Sequence, residues 1–241
     1  MKFEYEYLIG VEDVGKSNQI TNFAFLKYLE EIACYHSSFC GFGINDIETK
    51  KKAWLLMDWQ LKVFKRPIYG QKIKIKTWAR ILEKNLFFSY RDFEVYCNNE
   101  KVAIATSRWV LFDFISKKIT KLTDDIYLPY NPEDDYVFEK KEIEKVKEIE
   151  KKENLQEYIV KRGDIDINKH MHNLNYLKLA YEILPEDIYF DDETENVRIM
   201  YKHQIKLGDK VNCYYSKVDK KNVVTIKSNN DDVLHAIVEL Y

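Results

Sequence analysis

The chain repeats itself, and the repeat limits the folds open to it. Asn22-Phe23-Ala24-Phe25-Leu26-Lys27 aligns with Asn173-Leu174-Asn175-Tyr176-Leu177-Lys178, and Tyr69-Gly70-Gln71-Lys72-Ile73 aligns with Leu207-Gly208-Asp209-Lys210-Val211. Each copy must therefore build the same supersecondary unit. The hydrophobic spacing agrees. An alternating segment opens each copy, residues 3–7 and then 155–160, and reads as a strand. Apolar positions at helical spacing follow. In the first copy they are Phe25, Leu26, Leu29, Ile32, Ala33 and Phe39, closed by Gly41 and Gly43. In the second they run over residues 173–184 and stop at Pro185. Four strand candidates come next in each: 54–64, 71–81, 87–96 and 102–112, then 197–205, 211–218, 223–227 and 233–240. In the first set Leu55, Met57, Trp59, Leu61 and Val63 alternate and are expected on one side. Cys97 to Lys101 reads as a hairpin turn.

One long helix wrapped by an antiparallel sheet, used twice in tandem, is an α+β double hot-dog fold. The 46% of apolar residues can fill a core, and the 15% of aromatics favours sheet. The expected boundaries are a first repeat over 1–128, a linker over 129–154 and a second repeat over 155–241. The linker reading rests on Pro129, Pro132 and the Glu/Lys run over 139–153, which suit a segment crossing the surface. A solvated helix of alternating charge would fit the same role.

Composition also excludes. A net charge of −2 argues against general nucleic-acid binding. Only seven glycines leave little room for Gly-rich phosphate loops. Cys34, Cys40, Cys97 and Cys213 have no C-x-x-C spacing, so no metal and no cofactor is expected. Free thiols and an N-terminus without an apolar run point to the cytoplasm. No stretch is long enough for a membrane span. A homodimer stays open.

Residues 164–176 of the second copy read D-I-D-I-N-K-H-M-H-N-L-N-Y. Asp166, Asn168 and His170 alternate, so an extended segment would present all three to one side. Asn173 is the expected N-cap, with free backbone N–H groups beyond it able to receive an anion. Local capping would explain Asp and Asn here. The first copy, however, has Gly15, Ser17 and Gln19 at the same distance from its helix. A group needed only for folding should occur in both copies, so the cluster favours chemistry. His172 is a candidate supporting residue, while His36, His203 and His235 read as structural.

With these residues in view, the sequence resembles the acyl-acyl carrier protein thioesterases, the plant plastid enzymes and their bacterial relatives. The likeness runs from Phe3 to Tyr241. Its most specific part is residues 166–176, which follow the pattern D-x-N-x-H-x-x-N-x-x-Y. Trp54, the Tyr69-Gly70-Gln71 turn and Thr77-Trp78 add to it. Lacking a transit peptide, the chain looks like a bacterial member. The resemblance implies hydrolysis of fatty acyl thioesters on acyl carrier protein, with Asp166, Asn168 and His170 catalytic. It places Gln204 where the family has a catalytic glutamate, and an amide cannot act as a general base. It also places the acyl slot in the first repeat, with Phe25, Leu29, Ile32, Leu55, Met57 and Trp59 as candidates. Asn173 is expected at the substrate through the helix start. The chemistry is coherent: His can shuttle protons near neutrality, Asn168 can position water or carbonyl, and Asp166 can orient a neighbour or act as base. Hydrolysis of acyl-coenzyme A and non-catalytic acyl binding are the alternatives. An acidic carrier would call for a basic docking face, for which Lys50 to Lys52, Lys65-Arg66, and Lys117, Lys118 and Lys121 are candidates.

Overall fold

The computed structural model describes residues 1–81, 86–149, 154–189 and 194–241. The chain forms two compact units, Met1–Ile143 and Glu144–Tyr241. In the first, β1 (Phe3–Leu8) precedes α1 (Asn22–Phe39) and α2 (Ile47–Lys50). Then come β2 (Lys52–Val63), β3 (Lys72–Ala79), β4 (Ser89–Cys97), β5 (Glu100–Asp113), β6 (Lys118–Thr120) and α3 (Asp124–Tyr127). The sheet is antiparallel in the order β1-β3-β4-β5-β2, with β6 beside β5. α1 starts where Thr21 Oγ1 accepts from Ala24 N at 3.1 Å. It ends at Cys40, before Gly41 at φ +76°. Phe25, Leu26, Leu29 and Ile32 are wholly buried, each worth about 1.5–3 kcal/mol by transfer. Asn98 and Asn99 both have positive φ, which a two-residue turn between β4 and β5 requires.

In the second unit, β7 (Asn154–Ile159) leads to α4 (Asn173–Ile183) and α5 (Glu186–Tyr189). β8 (Asn196–Tyr201), β9 (Lys210–Val218), β10 (Lys221–Ser228) and β11 (Leu234–Leu240) follow. Its antiparallel order is β7-β9-β10-β11-β8. That is the order of the first unit strand for strand, so each unit is one hot-dog module. α4 has 11 residues against 18 in α1, because Pro185 cannot continue a helix.

Two expectations change. First, β2 carries a bulge between Leu56 and Asp58. Residues opposite one another share a face, and the register sets Trp54 and Leu56 on the same face as Trp59, Leu61 and Val63. Leu55 turns the other way, and Met57 is the bulged residue, half-buried and in neither row. Second, β8 ends at Tyr201 rather than at Ile205. Lys202 N and His203 N both point at His235 O, at 2.8 and 3.4 Å, which breaks the ladder. The segment after β6 begins with α3 and a 3-10 turn at Leu128–Tyr130 that buries Tyr130, and residues 131–149 form no helix.

Those residues cover sheet. In the first unit Glu133 bridges Arg80 in parallel, and Trp78 Nε1 donates to Asp135 O at 3.0 Å. Val137 N donates to Asp92 Oδ2 at 3.3 Å, and Arg80 donates to Lys141 O. Asp92 alternates with Arg91, which meets α1, so this cover lies on the face turned away from α1. Beneath it Arg80 and Asp92 form a buried two-point ion pair, at 2.7 and 2.6 Å. In the second unit Val146 packs on Met200, Val223 and Ile237, and Arg198 donates to Glu144 O. Residues 150–153 of the expected linker lie outside the described residues.

Candidate active site

The two units build one loop from the same backbone bonds. In the second, His172 N donates to Asp164 O at 2.8 Å, Asp166 N to His170 O at 2.8 Å, and Met171 N to Ile205 O at 2.8 Å. In the first, Thr21 N donates to Asp13 O at 3.0 Å, Gly15 N to Gln19 O at 2.9 Å, and Ile20 N to Pro67 O at 2.8 Å. Gly70 and Gly208 both take positive φ, and each donates to the residue just past the strand that opens its unit, at Ile9 O and Val160 O. Positive φ is why both copies of that turn keep glycine. Asp13 and Asp164 anchor the loops alike, accepting from Gly10 N at 2.8 Å and Lys161 N at 2.7 Å.

The segment carrying Asp166, Asn168 and His170 is a tight hairpin, not an extended strand. Ile165 bridges Met171, and Lys169 at φ +64° reverses the chain. The Asp166 side chain drives the reversal: Oδ1 accepts from Asn168 N at 2.8 Å and from His170 N at 3.3 Å. Asn168 Nδ2 lies 3.4 Å from Asp166 Oδ2. The hairpin therefore brings Asp166 and Asn168 into contact and ties His170 to them through its backbone. His170 is half-buried, and its Nδ1 is enclosed with no hydrogen-bond partner among the described residues.

The N-cap of α4 is His172, not Asn173. Its Nδ1 accepts from Leu174 N at 3.2 Å, and its carbonyl accepts from Asn175 N at 2.9 Å. A neutral imidazole nitrogen can accept as a capping oxygen would. Burial holds the His172 pKa below its ordinary value, against the opposing pull of Asp166. The helix start is thus mostly satisfied. Asn173 is its first residue and accepts from Tyr201 OH through its carbonyl at 3.2 Å.

Gln204 is exposed, beyond the end of β8. His170 bridges Lys206 antiparallel, and that register sets Gln204 across from His172. In the first unit the bridge of Gln19 to Ile68 sets Arg66 at the place of Gln204. Arg66 closes that copy, donating to Ile20 O and to Asn22 Oδ1, both at 2.9 Å. Of the slot candidates, Phe25, Leu29, Ile32 and Trp59 are inaccessible and act as core here. His203 and His235 form a local pair, His235 Nδ1 lying 3.0 Å from His203 O. Burial pushes the Cys213 thiol up to about 12 and the Cys34 thiol up to about 11, so neither is a ready nucleophile. Among the described residues no group of His, Cys, Asp and Glu is placed to hold a metal, and no helix is long and apolar enough to cross a membrane.

Reasoning from sequence missed Asp164 as the anchor of the hairpin. The signal was present, since Asp13 holds the same place in the first copy. The buried pair of His36 and Arg91 was also missed, and nothing local announces it.

Residues 1–130 match the acyl-ACP thioesterase N-terminal domain family, and residues 128–238 match the acyl-ACP thioesterase C-terminal domain family. The chain is 23% identical to oleoyl-acyl carrier protein thioesterase 1, chloroplastic, of Arabidopsis thaliana, over 88% of this chain and 62% of that protein. It spans 62–65% of the length of the plant oleoyl relatives it matches. The crystal structure of an acyl-ACP thioesterase from Bacteroides thetaiotaomicron superimposes with a TM-score of 0.86 at 20% identity, covering 99% of this chain and 96% of that one. The 12:0-ACP thioesterase from Umbellularia californica gives 0.87 at 16% identity, with the same coverage. These likenesses carry the fold, a tandem pair of hot-dog modules.

Proposed function

Because the chain belongs to the acyl-ACP thioesterase family, we propose that it hydrolyses fatty acyl thioesters of acyl carrier protein to free fatty acid and carrier thiol. The observation that carries this reading is the asymmetry of the two hairpins. One backbone frame holds Gly15, Ser17 and Gln19 in the first unit and Asp166, Asn168 and His170 in the second. The first copy closes the frame without a carboxylate, amide and imidazole at these respective places. In the second Asp166 helps to set the turn, but the Asn168 and His170 side chains are not needed to close it and serve something other than folding.

In this proposal His170 takes a proton from water as the water oxygen attacks the thioester carbonyl. Asn168 holds the water or carbonyl through its amide. Collapse of the tetrahedral intermediate breaks the carbon–sulfur bond, and the imidazolium returns its proton to the departing thiolate. Asp166 acts as a positioning residue, since its carboxylate is engaged with Asn168 and with His170 N. Met171 N and His172 N are engaged by Ile205 O and Asp164 O, so Asn173 N, at the start of α4, is the backbone donor offered to the oxyanion. Gln204 favours a second reading, acyl binding without turnover, because it stands where the resemblance expects a glutamate and an amide cannot act as a base.

The deciding experiment follows thiol release from a series of acyl carrier protein thioesters and from the matching coenzyme A thioesters. Turnover faster on the carrier protein supports the proposal. Turnover confined to coenzyme A supports the other leaving group, and acyl binding without thiol release supports the second reading.

A further inference from the structure

The second unit contains a cavity of about 410 Å³ on the side of α4 that faces β7 and β9. It is lined by Tyr158, Asp164, Asn175, Lys178, Leu179 and Cys213 among others, and none of Asp166, Asn168 or His170 borders it. A volume of this order suits a small organic ligand.

The first unit shows what occupies the same place when the fold fills it. There Tyr5, Tyr7, Tyr28 and Tyr35 form a run of rings, with centroids 4.9 Å apart for Tyr5–Tyr7, 4.5 Å for Tyr7–Tyr28 and 5.4 Å for Tyr5–Tyr35. The Tyr28 hydroxyl donates to Asp13 Oδ2, and Lys27 Nζ pairs with Asp13 Oδ1. The shared register makes each counterpart explicit. Tyr7 faces Ile73 as Tyr158 faces Val211, and Tyr5 faces Ile75 as Gln156 faces Cys213. Counting from the matched helix starts, Leu179 stands for Tyr28. Tyr35 has no counterpart in α4, which stops at Ile183. Three of the four rings are therefore missing, and Cys213 replaces the larger Ile75. Asn175 is larger than its counterpart Ala24, but its amide is tied to Asp164 O at 3.0 Å.

Asp164 keeps the place of Asp13, but the bond that the Tyr28 hydroxyl makes to Asp13 Oδ2 is made here by the Tyr158 hydroxyl. Asp164 Oδ2 takes Tyr158 OH at 2.6 Å and Lys161 N at 2.7 Å. Both of these bonds fall on Oδ2; Oδ1 is the oxygen that Lys27 meets in the first unit, and Lys178, the counterpart of Lys27, lies along the cavity. We propose that this cavity is a binding site for a small hydroxylated aromatic molecule. Its ring takes the place left by Tyr28, and its hydroxyl donates to the Asp164 carboxylate. The ring absent from the second copy sets the ligand's shape, and Asp164 Oδ1 is the oxygen its hydroxyl meets.

The test titrates the full chain with 4-methylphenol, the tyrosine side chain as a free molecule, and follows backbone amide signals. Saturable shifts centred on Asp164, Leu179 and Cys213 are expected. Toluene, which lacks the hydroxyl, should bind about tenfold weaker or worse, because a hydrogen bond to a charged acceptor is lost. Leu179→Tyr should supply the ring from within and remove the shifts. If that variant fails to fold, Cys213→Ile refills the cavity with the residue of the first unit and should weaken binding. Shifts that never saturate, shifts unchanged in the filled variant, or toluene binding as well as 4-methylphenol would each overturn the site as described.

Discussion

Arg91 donates through Nη1 to His36 Nδ1 across 2.8 Å, and the bond fixes the imidazole as the neutral form with its proton on Nε2. Both side chains are buried. His36 stacks on Phe3 at 5.1 Å, and Arg91 lies 5.6 Å from the ring of Tyr130. Burial first, then the Arg91 charge, pulls the His36 pKa down to about 3. An unfolded chain would protonate this histidine near 6.5. Between those values the unfolded state binds the extra proton, so stability falls as pH drops from about 6.5 toward 3. The loss is about 1.4 kcal/mol per pH unit from this group. His36→Gln keeps an acceptor for Arg91 and removes the titration. Urea unfolding from pH 7.5 to 4.5 should give a flatter stability profile in the variant, and parallel profiles would discard the account.

His170→Ala should lower turnover by ~10²–10⁴-fold, the usual worth of a positioned acid–base group. The fold should survive, since the ring is half-buried and makes no side-chain hydrogen bond among the described residues. Thiol release and a melting curve on the same sample check both halves. A folded variant with parental turnover removes His170 from the mechanism.

Asp166 has two roles that its variants can separate. Asp166→Asn keeps an acceptor for Asn168 N and His170 N, while Asp166→Ala removes it, at about 1 kcal/mol. As a positioning residue, Asp166 should tolerate Asn far better than Ala. Equal loss of turnover in both variants, with the hairpin intact, would make the carboxylate a base.

Gln204→Glu should raise turnover with little change in substrate binding, because a carboxylate can accept a proton from water and an amide cannot. Gln204 is exposed, so no folding cost is expected. A rate that is flat or lower would mean that Gln204 does not stand in for a base.

Leu29 is wholly buried, and Leu29→Ala should cost ~2–5 kcal/mol. If the helix face it shares with Phe25 also receives acyl chain, the product profile should move toward longer acids. Loss of stability with an unchanged profile would leave Leu29 as core alone.

What the sequence disclosed depended on the range of each interaction. α1 was legible because its apolar spacing and its closing glycines are local. The Asn98-Asn99 turn was legible for the same reason. The bulge at Met57 was not: one extra residue exchanges the faces of a strand, and no Gly or Pro marks it. The hairpin was misread because alternation of Asp166, Asn168 and His170 mimics a strand. Gly15 and Asn18 in the first copy carry the turn signal that the second copy hides behind Asp166. The pairing of His36 with Arg91 spans 55 positions, and no local pattern encodes it.

The segment over 131–149 meets its sheets largely through main-chain carbonyls: Asp135 O for Trp78, Lys141 O for Arg80 and Glu144 O for Arg198. Every residue type supplies a carbonyl. Its buried side-chain anchors are few, with Ile143 and Val146 the clearest. The Glu and Lys letters around them are therefore less constrained than the path, which is held by the donors beneath. Descendants of this chain should diverge fastest here and still keep the cover in place. Alignments that lose the segment would be recording relaxed spelling, not a dispensable part.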